Sequence, residues 1–219
     1  MLGNPLDFVA YIGEHRAQFF NLLNQHIQLT AASVVLALAA AIPLAIIASR
    51  VVPVARPMTW IAAAGQTVPS LAVLALMLPL LGIGFRPSVA ALAIRAFLPI
   101  FLNTYVGLRG ADPAAVDAAR GMGASSAQRL LFVELPLASP IIYAGIQTAT
   151  VQNVGIATIA AFIGGGGLGE LILQGLQMLE PSVLLAGAIP VALLAMTAEV
   201  ALRYLGRLVV PAGVQMSSN

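Results

Sequence analysis

The chain has 219 residues, of which 60% are hydrophobic and only 8% charged, with a net charge of +2 and no cysteine. Soluble domains carry about a quarter charged residues, so this composition places the chain in lipid. It excludes disulfides, thiolate metal sites and cysteine nucleophiles, and so small a charge without a basic stripe gives nucleic acid no footing.

The opening stretch, MLGNPLDFVAYIGEHRAQFF, carries Asp7 and Glu14 and lacks a basic start, unlike a cleaved signal peptide. Leu6, Val9, Ile12, Phe20, Leu23 and Ile27 fall near helical spacing. That pattern predicts a short amphipathic helix lying on the membrane surface within residues 1–26. A helix needs about 20 apolar residues to cross a bilayer, and five stretches qualify. The first runs from about Ile27 to Ala48, between Arg16 and Arg50. The second covers roughly Met58 to Leu81, and the third about Ser88 to Leu108 with Arg95 inside it. The fourth starts at Leu135 and continues to about Ile163; the fifth runs from about Val183 to Leu205. Neither a linker nor an internal repeat divides this array. Residues 27–208 therefore read as one membrane domain with a cytoplasmic loop at 109–134, followed by a tail at 209–219. The expected class is an all-α integral membrane protein with about five transmembrane helices.

Orientation follows from the arginines. With the N-terminus outside, Arg50, Arg56, Arg109, Arg120, Arg129, Arg203 and Arg207 face the cytoplasm, and only Arg16 and Arg86 face out. The positive-inside bias rejects the opposite choice. The expected topology is N-out and C-in, with the glycine-rich turn Gly164 to Glu170 outside. Gly164, Gly166 and Gly169 match the dinucleotide fingerprint, but that motif works only between a strand and a helix. Here it ends a span, and a flexible break between helical segments is the better reading. All ten basic residues are arginine. A phosphate-binding P-loop needs lysine, so this chain carries none and is not expected to hydrolyse ATP. Glu199, near the inner end of the last span, has Arg203 four residues on and reads as a helical ion pair rather than a proton relay.

Polar residues at depth suggest a path. Gln66, Thr67, Pro69 and Ser70 interrupt the second span, since Pro69 removes a backbone donor. Such breaks are tolerated where a helix meets protein or water rather than lipid. Gln147, Thr148, Gln152 and Asn153 cluster in the fourth span, and Asn103 and Tyr105 lie in the third. For each alone, hydrogen bonding between packed spans is the plainer role; together they suggest a pathway for a small polar solute. Arg95 has two readings, a functional intramembrane charge and a snorkelling side chain.

Between Leu108 and Leu135 the chain leaves the membrane. Asp112 and Pro113 open a helix as N-cap and first-turn proline. Gly121 and Gly123 end it, Gly123 as a left-handed residue. A second helix runs from Ser125 or Ser126 to Glu134 and stops before Pro136. The small faces of Ala118, Ala119, Gly121 and Gly123 let another backbone come close, so this knob reads as a docking site. The spacing Asp117-Ala118-Ala119, three residues, Gly123, nine residues, Val133, one residue, Leu135-Pro136 resembles the loop of permease subunits of binding-protein-dependent ABC importers. Asp117 stands where that pattern has Glu, one methylene longer, and Val133 where it has Ile. The segments QTVPSLAVLALMLPLLGIG, FLPIFLNTYVGLRGADPAAVDAARGMG and AGIQTATVQNVGIATIAAFIGGGGLGELILQGL resemble the osmoprotectant branch, over about Val52 to Arg203. Arg95 departs from it, where an aromatic or apolar residue is the expectation.

The resemblance implies a type I importer permease fold, like that of methionine importers, in the bacterial inner membrane. It implies a coupling loop comprising Asp112, Asp117, Ala118, Ala119, Arg120, Gly121, Met122, Gly123, Arg129, Leu135 and Pro136. It also implies partners: two ATPase subunits that hold ATP and magnesium, a second permease subunit, identical or homologous, and an extracytoplasmic solute-binding protein or domain. No cofactor, metal or nucleic acid is expected on this chain. The implied work is alternating-access import of a quaternary amine such as glycine betaine, choline or carnitine, whose cation suits aromatic faces; Tyr105 and Tyr143 are the candidates. Three alternatives stand beside it: a permease of the same build for methionine or another amino acid, an ion-coupled carrier, and a membrane scaffold or sensor.

Overall fold

A computed structural model describes residues 7–211; the first six residues of the expected surface segment and the tail from 212 onward lie outside the described residues. Every element among the described residues is helical. In chain order they are α1 (Asp7–Glu14), α2 (Arg16–Arg50), α3 (Val52–Thr67), α4 (Ser70–Leu81), α5 (Phe85–Arg109), α6 (Pro113–Gly121), α7 (Ser126–Arg129), a π-helical turn (Leu130–Glu134), α8 (Leu135–Ile156), a 3-10 segment (Ala157–Ile163), α9 (Gly169–Met178) and α10 (Pro181–Val209).

Four of these stretches are long and apolar enough to cross a membrane alone: Arg16–Arg50, Phe85–Arg109, Ser126–Ile163 and Pro181–Val209. Ala55–Thr67 and Ser70–Leu81 reach that length and apolarity only together, as a pair bent by 105°. The break falls at Pro69, which stands as the cap of α4 with extended backbone. Among the described residues the count is four such helices, or five when the bent pair is taken as one span, in keeping with an expectation of about five. Two details differ from it. Helix α2 begins at Arg16, so residues 16–26 are continuous in one helix with the first apolar stretch, and only α1 is a separate short helix. The second loop helix does not stop before Pro136. Instead, the Leu135 amide donates to the Leu130 carbonyl five residues back, and the chain runs on through Pro136 into α8. A wide turn explains this, because a proline ring clashes with the carbonyl four residues back in a regular helix, and a π-turn relaxes that spacing.

Packing divides the chain into two compact units, and each takes part of every one of the long helices α2, α5, α8 and α10. The first comprises the described residues up to Ala37 with Val68–Ala96 and Thr150–Glu199. Its main core gathers Leu22, Val154, Leu168, Leu171, Val183, Ala186 and Val191. Phe8, Tyr11 and Ile12 of α1 pack onto it, so the apolar face of α1 is turned onto protein, not only onto a membrane surface. Buried polar groups cross this unit. His26 Nε2 donates to the Val154 carbonyl at 2.9 Å, and Asn153 Nδ2 donates to Ser33 Oγ at 3.0 Å and to the Leu92 carbonyl at 3.1 Å. Away from water these bonds order the contact of α2, α5 and α8, since a buried polar group left unmatched is costly.

The glycine-rich turn also lies in this unit. It separates the 3-10 segment from α9 as expected, but it is buried and closely packed where a flexible break was anticipated. Gly167 N–H donates to Gln25 Oε1 at 3.2 Å, and Gly84 N–H donates to the Ile163 carbonyl at 2.8 Å. A β-carbon at Gly167 would stand 3.0 Å from His26 Nδ1, and the residue has φ +85°. Close approach and a left-handed backbone both call for glycine there. Helical surroundings deny the turn its nucleotide reading.

The second unit comprises Leu38–Thr67, Phe97–Ala149 and the described residues from Val200. Here α5 and α8 meet through small residues: a β-carbon on Gly107 would lie 3.1 Å from the Ala138 carbonyl, and one on Gly145 would lie 3.1 Å from that of Pro99. Such contacts let membrane helices approach backbone to backbone. Tyr143 Oη donates to the Leu202 carbonyl at 2.6 Å, fastening α8 to α10.

Candidate functional site

The loop between α5 and α8 is built by local chemistry. Asp112 accepts from the Ala114 amide at 2.9 Å, with Pro113 beginning α6. This satisfies an amide that the helix start leaves without an internal partner. Ala119 is buried and anchors α6, while Asp117, Ala118, Arg120, Gly121, Met122 and Gly123 are exposed. Gly123 takes φ +85° and lets the Ala124 amide reach back to the Ala119 carbonyl at 3.0 Å. Ser125 and Gln128 then form a reciprocal capping box that starts α7. Arg129 folds inward, donating from Nη1 to the Ala124 carbonyl at 2.7 Å and from Nη2 to Ser126 Oγ at 3.1 Å. It staples the turn instead of reaching out. Leu135 and Pro136 are partly buried at the start of α8.

The loop presents an apolar face that its own chain leaves uncovered. Met122 is 83% exposed, Phe132 75% and Leu131 58%. Met122 and Phe132 border a groove of about 410 Å³ with Ala119, Gly123, Gln128 and Val133. Asp117 and Arg120 stand as exposed charges on the same short helix. An apolar centre with a charged rim is the composition of a protein interface.

A second feature of the loop escaped the sequence reading. Arg50, the last residue of α2, donates from Nη1 to Glu134 Oε1 at 3.1 Å, while its Nη2 pairs with Oε2. The Glu134 side chain is 7% exposed and that of Arg50 42%. Glu134 ends the π-turn. Beside the pair lies a cavity of about 220 Å³ that Arg109 and Asp117 also line. Nothing near Arg50 in the sequence marks Glu134, 84 positions away, as its partner; the one available signal was an acid placed at the mouth of a span.

The expected pathway residues divide. Gln66 and Thr67 are exposed at the end of α3, Pro69 is exposed, and Ser70 opens α4 partly buried. Arg95 Nη1 donates to the Val68 carbonyl in this break at 3.1 Å. A cation there supplies a donor to a carbonyl at the break, where the helical ladder is interrupted. Asn103 donates to the Pro99 carbonyl of its own helix at 2.9 Å. The Tyr105 and Phe101 rings lie nearly parallel, as do those of Phe101 and Phe97, with centroid separations of 6.5 and 5.5 Å. On α8, Ala144, Thr148, Gln152 and Gly155 form one exposed stripe, Gln147 is partly buried, and Asn153 is 1% exposed. A polar stripe on a membrane helix needs water or protein against it. Asn153, by contrast, is engaged inside the bundle. Tyr143, the other aromatic candidate, has its hydroxyl committed to Leu202.

Comparison with known proteins places this arrangement. Residues 24–211 match the family model described as the inner membrane component of binding-protein-dependent transport systems. The choline transport system permease protein OpuBB of Bacillus subtilis is 41% identical over 191 residues, covering 87% of this chain and 88% of that one. The carnitine transport permease protein OpuCB of Listeria monocytogenes is 40% identical over the same shares. The osmoprotectant import permease protein OsmW of Salmonella typhimurium is 37% identical over 96% of this chain and all of its own length. Among solved structures, the fold is similar to that of the MetNI methionine ABC transporter in an inward-facing conformation, with a TM-score of 0.82 at 19% identity, over 90% of this chain and 99% of that one. At that identity the likeness is one of fold.

Proposed function

The chain belongs to the family of binding-protein-dependent transport system inner membrane components, and from that premise we propose that it is the permease subunit of an ATP-driven importer of osmoprotectant quaternary amines. Glycine betaine, choline and carnitine are the substrate class. The observation that carries the reading is the loop at 109–134, which keeps every spacing of the importer pattern and bares an apolar face bordered by Met122 and Phe132. The relatives named for choline, carnitine and osmoprotectants support the substrate class.

In this mechanism the N-terminus faces outward and the loop faces the cytoplasm. Two permease subunits, identical or homologous, enclose the path, and a binding protein or domain delivers solute to the outer side. Two ATPase subunits hold ATP and magnesium and grip the loop around Asp117 to Gly123. Their closure moves the loop and turns the spans between outward and inward access. The polar residues Gln66, Thr67, Thr148 and Gln152 are exposed on this chain and suit a wet path, because polar side chains turned outward at membrane depth face water or protein rather than lipid. Asn153 serves instead as a lock within the bundle. Arg95 holds the broken second span at Val68, which accounts for a cation in a protein that passes quaternary amines: it is engaged with a backbone carbonyl at the break.

The test is reconstitution with the ATPase subunit and the binding protein in liposomes, measuring ATP-dependent uptake of labelled glycine betaine, choline, carnitine, methionine and histidine. Uptake of at least one quaternary amine, dependent on all components, is expected. Uptake of an amino acid alone would overturn the substrate class, and uptake without the ATPase subunit would overturn ATP-driven transport.

A further inference from the structure

We propose that the Arg50–Glu134 ion pair is the positioning contact that carries motion of the cytoplasmic loop into the first spanning helix. This rests on the loop being the element that docks the ATPase subunit. The loop is joined by the chain itself to α5, through Arg109, and to α8, through the π-turn that Glu134 ends. Helix α2 has no such chain connection to it. The ion pair supplies one, fixing the last residue of a 35-residue helix to the residue where the loop becomes a span.

Three features suit the pair to this work. It is two-pointed: both guanidinium nitrogens meet both carboxylate oxygens, so it transmits direction as well as distance. The carboxylate is only 7% exposed, so parting from Arg50 would leave a charge that water answers poorly, and the link resists breaking as the loop moves. Finally, the cavity of about 220 Å³ beside the pair, which Arg109 and Asp117 also line, leaves the loop unpacked along that side. Where side chains do not fill the space between loop and spans, a polar tie carries the load. The π-turn immediately before Glu134 concentrates compliance at the same point, as such insertions do at moving sites.

The experiment compares Glu134→Gln, Arg50→Lys, Arg50→Ala and the exchanged pair R50E/E134R in the complete reconstituted importer. It reads solute moved per ATP hydrolysed, together with the amount of ATPase subunit retained. Glu134→Gln and Arg50→Ala are expected to retain the ATPase subunit and to hydrolyse ATP, while solute moved per ATP falls about fivefold or more. Arg50→Lys, which keeps the charge but loses the second contact point, should fall between Arg50→Ala and the unaltered protein, and the exchanged pair should recover part of the loss. An unchanged ratio in both Glu134→Gln and Arg50→Ala would overturn the inference. So would parallel loss of uptake and ATPase binding with Arg50→Lys no better than Arg50→Ala, since that marks a contact needed only for folding. Should Glu134→Gln fail to assemble, the comparison of Arg50→Lys with Arg50→Ala decides alone. An unaltered chain that binds no ATPase subunit would overturn the docking reading itself, and is seen before any variant is made.

Discussion

Replacing Gly121 or Gly123 with leucine separates what the loop needs for itself from what it needs for a partner. A β-carbon at either position meets nothing within 4 Å in this chain. At Gly121, the last residue of α6, the backbone is helical, so a side chain relieves the entropic cost of glycine and leaves the free permease as stable or more stable by about 0.5 kcal/mol. At Gly123 the φ of +85° charges any other residue about 1–2 kcal/mol, so the leucine variant should be measurably less stable. Docking is affected at both. A leucine thrust into a closely fitted partner surface costs about 1–3 kcal/mol as over-packing, which weakens ATPase binding by roughly 5- to 150-fold. The assay is titration of the purified ATPase subunit onto permease in lipid discs, with thermal unfolding of the permease alone alongside. Gly121→Leu is the decisive variant, because its own fold has no reason to object. If it bound the ATPase subunit as tightly as the unaltered chain, the exposed face of α6 would not be a docking surface.

Two further changes probe the membrane interior. Asn153→Leu preserves bulk and removes two interhelical hydrogen bonds; at about 0.6 kcal/mol for each in a membrane protein, thermal unfolding in detergent should report a loss near 1 kcal/mol. Asn153→Ala should cost more by leaving a cavity, and an unchanged unfolding temperature in both would show that the bonds are idle. Arg95→Leu withdraws the donor from the Val68 carbonyl at the break of the second span. Solute uptake is expected to fall about tenfold, on the scale of a hydrogen bond from a charged group, with Arg95→Lys recovering part; uptake equal to the unaltered protein in Arg95→Leu would refute the capping role.

The expectations that held were those set by local chemistry. The long apolar helices depend on runs of apolar residues, and the break at Pro69 depends on a missing amide. Asp112, Pro113, Gly123 and Ser125 act within a few residues of themselves, so the loop's caps and turn were readable from the chain. The π-turn before Pro136 was not, because a proline signals the end of a helix unless packing around it supports a wider turn. For the polar residues of the apolar helices, composition shows that they lie along those helices, but not which way each one points.

The sequence by itself determined that this chain lives in a membrane, which of its stretches are apolar enough to cross one, and that it carries no lysine-bearing P-loop. Tertiary structure decided which polar side chains hold the bundle and which remain open. Gln152 and Asn153 are neighbours in the chain, yet one is exposed and the other locked between α2 and α5, because each step along a helix turns the side chain by about 100°. Glu134 finds Arg50, and Arg95 finds Val68, only once distant stretches are packed side by side. A lone charge in an oily sequence announces that a partner is needed; the fold alone supplies it.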